Sequence, residues 1–243
     1  MTPATTEPIV RRKLADEIFD RLKAMIMSGE CGPGQSLPSE RELMARFGVG
    51  RPAIREALQA LANLGLITIS HGERARVREI TAEAAVRQID TVAQLLLSAS
   101  PESLDHLKDA RRFFEQGMVR RAAETATESD IADLREILER QRSAVGDAVA
   151  FIRADIAFHT RIAAITGNPI YAAVSETMLN WLREYHAHML IWQGKSERTL
   201  AEHAEIIGRI EAHDPDGAER AMTGHLDRSN HLYAHSHEHK AGG

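Results

Sequence analysis

The chain has a single cysteine, Cys31, among its 243 residues, so it can form no intramolecular disulfide, and nothing in its thiol content points to an oxidising compartment. Its first residues lack the apolar core of a secretion signal, and no apolar run approaches the roughly 20 residues that a membrane-spanning helix needs. These absences predict a soluble, cytoplasmic protein with no membrane partner. An excess of positive charge is also missing. The formal net charge is −5, which excludes a chain coated throughout with basic residues for nucleic acid. No period of repeat-protein length stands out.

The charge that is present is divided unevenly. Residues 1–79 hold 12 Lys and Arg against 10 Asp and Glu, whereas residues 80–243 hold 18 against 25. A small positive balance gives way to a clear negative one, as expected if only the N-terminal part meets phosphate. With 43% hydrophobic residues, the length suffices for two domains with cores of their own. The pattern predicts a disordered arm over 1–10, a DNA-binding domain over 11–79, and a linker with a first bundle helix over 80–100. A helical bundle over 101–236 and a flexible tail over 237–243 complete the expected order.

The densest information lies between Leu37 and Arg78. Leu14, Ile18, Leu22, Met25 and Ile26 recur at helical spacing, and Gly29 closes that first helix. Ser39 with Glu42 three residues on is a capping box that opens a short second helix. Pro52 suits a first helical turn, where its missing N–H costs nothing, so a third helix should start at Arg51 after Gly48-Val49-Gly50. On that helix Ile54, Ala57, Leu58 and Leu61 form an apolar stripe, while Arg51, Arg55 and Gln59 form a row on another side. Leu66-Ile67-Thr68-Ile69 and Ala75-Arg76-Val77 read as two strands about a turn at His71-Gly72, a wing from which His71, Arg74 and Arg76 could reach DNA. The layout predicts a winged helix-turn-helix whose third helix enters the major groove, where an arginine fork can meet guanine O6 and N7. A solvated helix face is the plainer reading of two arginines taken alone.

The run Leu37-Pro38-Ser39-Glu40-Arg41-Glu42-Leu43, with Gly48-Val49, Arg51, Arg55-Glu56-Ala57-Leu58, Gly65-Leu66 and His71-Gly72, resembles the DNA-binding domain of the GntR family of bacterial transcription regulators. The resemblance covers about a third of the chain and is specific in combination. It implies double-stranded operator DNA as a partner, with contacts at Arg41, Arg51, Arg55, His71 and Gly72.

From Thr81 onward the pattern is helical, with no strand candidate. Thr81 should cap a helix to about Ala99, Pro101-Glu102-Ser103 starts the next, and Ser129 caps another that ends near Gly146. Asp147 opens a helix that stops before Asn168-Pro169. A helix over 170–192 is closed by Gly194, Ser196 caps one that ends at His213, and Asp214-Pro215-Asp216 begins the last. Six or seven helices in a bundle are expected, making the chain mostly α. Asp155 and His159 stand four apart on one of them, His203 near the start of the next-to-last and His225 within the last. One carboxylate and three imidazoles suit a divalent first-row ion, and facing helices are a natural place to gather them. With 12 histidines in the chain, spacing alone does not separate ligands from surface or core residues.

These four residues, with Arg111 and Glu115, resemble the FCD effector domain of the FadR subgroup of that family. In its metal-binding members one Asp and three His hold a divalent ion. The resemblance implies a metal, zinc first with nickel or manganese as alternatives, at Asp155, His159, His203 and His225. It also implies a small carboxylate effector on the open side of that metal, paired with Arg111, and a homodimer. An exposed arginine beside Arg112 is the plainer reading of Arg111. Further runs, among them Gly72-Glu73-Arg74-Ala75-Arg76-Val77, Arg112-Phe113-Phe114-Glu115, Gly167-Asn168-Pro169-Ile170 and His213-Asp214-Pro215-Asp216, are similar to subgroup members that repress sialic-acid catabolism. N-acetylneuraminate or a related sugar acid is the effector so implied, although residues 184–194 depart from that pattern. The reading is a metabolite-responsive repressor. A metal-dependent hydrolase-like enzyme is a rival, since a bound divalent ion can activate water, but no general base is paired with the site. A constitutive dimeric DNA-binding protein is the other rival. His231, His235, His237 and His239 make a metal-binding tract by composition only.

Overall fold

Ala15, Ile18, Leu22 and Met25 recur every three or four residues, and burying that stripe makes helix α1, Leu14–Met27, the base of the first of two compact units. The computed structural model describes residues 13–70, 72–186 and 195–238, and it divides at Thr81 into units of residues 1–81 and 82–243. The expected arm, His71, residues 187–194 and residues 239–243 lie outside the described residues.

Helix α2, Glu40–Phe47, begins with the expected capping box. The Glu42 N–H donates to Ser39 Oγ at 3.3 Å and the Ser39 N–H to Glu42 Oε2 at 2.7 Å. Gly48, at φ +67°, ends it in the left-handed conformation that a side chain would disfavour. Helix α3, Arg51–Asn63, follows at once with Pro52 in its first turn, and Ile54, Ala57, Leu58 and Leu61 are all buried. Strands β1, Ile67–Thr68, and β2, Arg76–Val77, pair antiparallel with Ile67 opposite Val77. One pairing is not visible in the sequence. The segment before α2 lies along the other edge of β2, with Leu37 N–H donating to Ala75 O at 2.7 Å and Val77 N–H to Gln35 O at 2.8 Å. Flanking Gly34 and Pro38 hide this segment from any strand pattern. Leu22, Leu37, Leu43, Ile54 and Leu61 form the centre of this core at no measurable exposure. Three helices and a hairpin make a winged helix-turn-helix.

In the second unit the helix expected over 81–99 is two, α4, Ala82–Arg87, and α5, Asp90–Ala99. Tight bonds from Gln88 N–H to Ala85 O and from Ile89 N–H to Val86 O turn the chain there, and the Asp90 carboxylate accepts from Trp181 Nε1 at 2.9 Å instead of continuing the first helix. Helix α6 is Pro101–Thr125, capped by Ser100. Helix α7, Glu128–Ser143, is capped by Thr127, not Ser129, because Asp130 at the third position completes a capping box with Thr127. Helix α8, Ala148–Ile165, is capped by Asp147. Helices α9, Pro169–His186, α10, Lys195–Glu211, and α11, Pro215–Glu238, complete eight among the described residues, one more than expected because the first is divided. Ser196 sits inside α10, not at its cap. Val119, Leu134, Phe158, Ile206, Ile210 and Met222 are wholly buried between α6, α7, α8, α10 and α11. The bundle therefore closes around the stretch of α8 that carries Asp155 and His159. Among the described residues no helix is long and apolar enough to cross a membrane.

Among the described residues each unit has a capping box, at Ser39 and at Thr127, and each unit should fail by itself. Ser39→Ala and Thr127→Ala are each expected to cost about 1 kcal/mol. In urea titrations tryptophan fluorescence reports the second unit alone, since Trp181 and Trp192 both lie there. Thr127→Ala should lower the fluorescence midpoint, whereas Ser39→Ala should move only the circular dichroism transition. A common shift in both signals would show one cooperative unit.

A candidate DNA-reading face and a candidate metal cage

The polar row of α3 is held outward because the opposite stripe is locked into the core. Arg51 and Arg55 are exposed, as is Arg41 on α2, so three of the five residues expected at DNA lie on the surface of this unit. Gly72 is exposed at φ +77°, a backbone conformation any side chain would strain, and His71 lies outside the described residues. Arg76 is engaged within the fold, donating from Nη1 to Gly34 O at 3.0 Å. Arg74 stands 3.7 Å from Glu42. A residue the sequence reading passed over sits in the middle of the face. The Glu40 carboxylate lies 3.3 Å from Arg51 Nε through one oxygen and 2.9 Å from Arg55 Nε through the other.

In the bundle, α8 supplies Asp155 and His159, α10 supplies His203, and α11 supplies His225. One ligand-capable atom from each lies within 4.8 Å of all the others. The three histidines are buried and Asp155 is partly exposed, so the cage meets solvent on its carboxylate side. Four-residue spacing put the first pair on one face of a helix. The antiparallel return of α10 and α11 brings the other two to it.

The protons in this cage are fixed from outside. His159 Nδ1 faces Glu115 Oε2 at 2.5 Å, His203 Nδ1 faces Gln141 Oε1 at 2.8 Å, and His225 Nδ1 faces Glu202 Oε2 at 2.9 Å. A carboxylate can only accept. Gln141 is oriented by donating from Nε2 to Asp155 Oδ1 at 3.1 Å, so its oxygen must be what faces His203. The Nδ1 atoms of His203 and His225 therefore carry protons and donate outward, and Arg111 Nη2, which can only donate, occupies the Nε2 lone pair of His159 and leaves the proton of that ring on Nδ1. Burial, joined by the neighbouring His225, His159 and Arg111, holds the His203 pKa well below its ordinary value. Burial lowers that of His225 as well, against the pull of Glu202. His159 Nε2 accepts from Arg111 Nη2 at 3.2 Å, while the neutral rings of His203 and His225, with their protons on Nδ1, turn their Nε2 lone pairs inward, where the two atoms stand 3.4 Å apart. Two acceptors at that distance repel unless a cation lies between them. The donor set thus fits a divalent ion. Phe158 stacks on His203 at 3.9 Å between ring centres and fixes the plane of that ring.

The charges around the cage are paired. Glu115 is buried, and although burial alone would raise its pKa, the Arg111 charge and His159 bring it down to about 2. Glu202 is likewise held at about 2, as hydrogen bonds from His225 and Arg228 outweigh its desolvation. Arg111 is not an exposed neighbour of Arg112. It is buried, pairs with Glu115 at 2.5 Å, and reaches His159 Nε2 with its Nη2 at 3.2 Å. Gln141, Glu202 and Arg228 were missed by sequence reasoning. Gln141 had a signal, since it continues the apolar stripe of Leu134, Ile137 and Leu138 and a polar residue there needs a partner.

The gntR family model of bacterial regulatory proteins matches residues 14–77, and the FCD domain model matches residues 106–228. Among curated relatives, the HTH-type transcriptional repressor NanR of Edwardsiella tarda is 41% identical over 90% of this chain and 85% of its own length. That of Klebsiella aerogenes is 41% identical over the same shares. Among solved structures, a GntR of Streptococcus agalactiae matches with a TM-score of 0.66 at 24% identity, over 88% of this chain and 98% of that one. E. coli McbR/YncC matches at 0.51 and 20%, over 93% and 100%. At such identities the two structures speak for the fold alone.

The Arg111–Glu115 pair is expected to show its worth as an uncompensated charge when one half is removed. Arg111→Ala should cost about 3–5 kcal/mol in chemical denaturation because a buried carboxylate loses its partner. The double variant Arg111→Met, Glu115→Met should recover most of that loss. If Arg111→Ala denatures like the parent, Arg111 does not hold Glu115.

Proposed function

Because the chain belongs to the gntR family of bacterial regulatory proteins and is a DNA-binding transcription repressor, we propose that it leaves its operator when a small carboxylate binds a metal in the bundle. The observation that carries this reading is the convergence of four ligand-capable atoms, two of them imidazole nitrogens whose lone pairs are turned inward by outer hydrogen bonds. Asp155, His159, His203 and His225 would hold the ion, and three imidazoles with one carboxylate favour zinc, with nickel and manganese as alternatives. A bound ion would supply open coordination positions on the partly exposed side of the cage.

Charge narrows the effector class. Asp155, Glu115 and Glu202 are balanced by Arg111, Arg228 and the exposed Arg198, so a divalent ion would leave the cage positive. An anionic effector would then offset that charge. Arg111, already held by Glu115 and facing His159, would lend its buried positive charge to a carboxylate at the cage. The runs shared with repressors of sialic-acid catabolism make N-acetylneuraminate or a related sugar acid the candidate. At the other end of the chain, Arg41, Arg51, Arg55, His71 and Gly72 would meet the operator. A homodimer would present two α3 helices to half-sites about one helical turn apart. The effector regulates only if it binds the DNA-competent and DNA-incompetent states with different affinity. The setting for such a sensor is the cytoplasm. The curated relatives are repressors, which leaves no support for a hydrolase.

Elemental analysis of the purified protein should find a divalent metal, and the double variant Asp155→Ala, His159→Ala should lose it; equal contents would sink the cage. Operator binding at fixed salt should weaken on addition of N-acetylneuraminate. No release, together with no thermal shift by any sugar acid, would leave a passive dimeriser.

A further inference from the structure

We propose that Glu40 is a positioning residue that sets base discrimination, one carboxylate holding both arginines of α3 by their Nε edges so that their outer forks are aimed together. This rests on the reading of Arg51 and Arg55 as DNA contacts.

The two guanidiniums stand four residues apart on one helix face, a spacing at which like charges repel. Their side chains are 61% and 68% exposed, so packing does not select their rotamers. Glu40 comes from the first turn of another helix and uses its two oxygens separately, Oε2 toward Arg51 at 3.3 Å and Oε1 toward Arg55 at 2.9 Å. That arrangement neutralises the repulsion and draws both side chains toward α2, Arg55 through a hydrogen bond and Arg51 through an ion pair. It engages Nε and leaves the two Nη atoms at the tip of each guanidinium as the donors that can meet guanine O6 and N7.

The sign of the charge carries the argument further. A carboxylate among the cations of a phosphate-facing surface repels the backbone of every sequence alike and so lowers non-specific affinity. What it gives in exchange is order in the two groups that distinguish bases, so fewer conformations are lost when they dock. Glu40 thus exchanges general affinity for specificity. If it served only the dipole of α2, it would affect stability and leave base preference untouched.

The test is selection from a randomised duplex pool with the full-length protein, the Glu40→Gln variant, Arg51→Ala and Arg55→Ala, at one salt concentration. Glu40→Gln keeps the size of the side chain, and its melting temperature verifies folding. Its ratio of selected-site to random-site affinity should fall about tenfold, the scale of one bidentate base contact. Its affinity for random DNA should hold or rise, and preference should relax at the base positions that Arg51→Ala and Arg55→Ala also relax. In the Arg51→Ala, Arg55→Ala background the Glu40 substitution should change base preference no further. If the arginine variants lose preference while Glu40→Gln keeps that of the parent, the clamp is overturned alone. If the arginine variants keep it too, the arginines are not the readers and the clamp falls with them.

Discussion

The bundle depends on hydrogen bonds that run away from its centre. Three imidazoles buried together would ordinarily choose their tautomers to satisfy one another, and the inward nitrogens would then be donors as often as acceptors. Gln141 and Glu202 remove that choice by accepting from Nδ1 of His203 and His225, and Arg111 removes it at His159 by donating to Nε2. The cost of desolvating the buried Glu115 and the half-buried Glu202 is met by Arg111 and Arg228, each 2.5 Å from its partner. The cage is therefore an inner ring of lone pairs held by an outer ring of acceptors and guanidiniums, and removal of any outer member disturbs the inner one.

The same device appears in simpler form in the first unit, where an acid again governs the direction of a base. Glu42 closes the capping box that starts α2, and Glu40 two residues before it faces the arginines of α3. The first turn of one short helix thus fixes its own beginning and the aim of the next. Pro52 and Gly48 make this workable, since the tight turn between them keeps the start of α3 near the start of α2. The apolar stripe of α3 supplies the rigidity behind the exposed row.

How much could be read in advance varied with the range of the interaction. Helix starts signalled by Ser39 with Glu42, by Pro52 and by Asp147 appear where local chemistry put them, because caps act within three residues. The start of α7 was misplaced by two residues because Thr127 and Ser129 are both competent caps, and only Asp130 decides between them. The division of α4 from α5 was hidden, since the Trp181 side chain that engages Asp90 comes from a helix far along the chain. The bridge of Ser36 to Arg76, in the segment that Gly34 and Pro38 flank, was hidden because those residues leave no strand pattern. Asp155 and His159 share a helix face by arithmetic. No pattern in the sequence told His203 and His225 apart from the other histidines until the resemblance to a known family singled them out.

By itself, then, the order of residues determined what lies within about one helical turn: caps, breaks, the two stripes of α3 and the pairing of Asp155 with His159 on one face. These follow from bond geometry and need no partner from elsewhere. Tertiary structure alone decided that Gln141, Glu115 and Glu202 would turn three rings the same way, and that one carboxylate of α2 would face two arginines of α3. Such contacts join residues 11 to 62 positions apart. At those separations only the packing of whole helices brings side chains together.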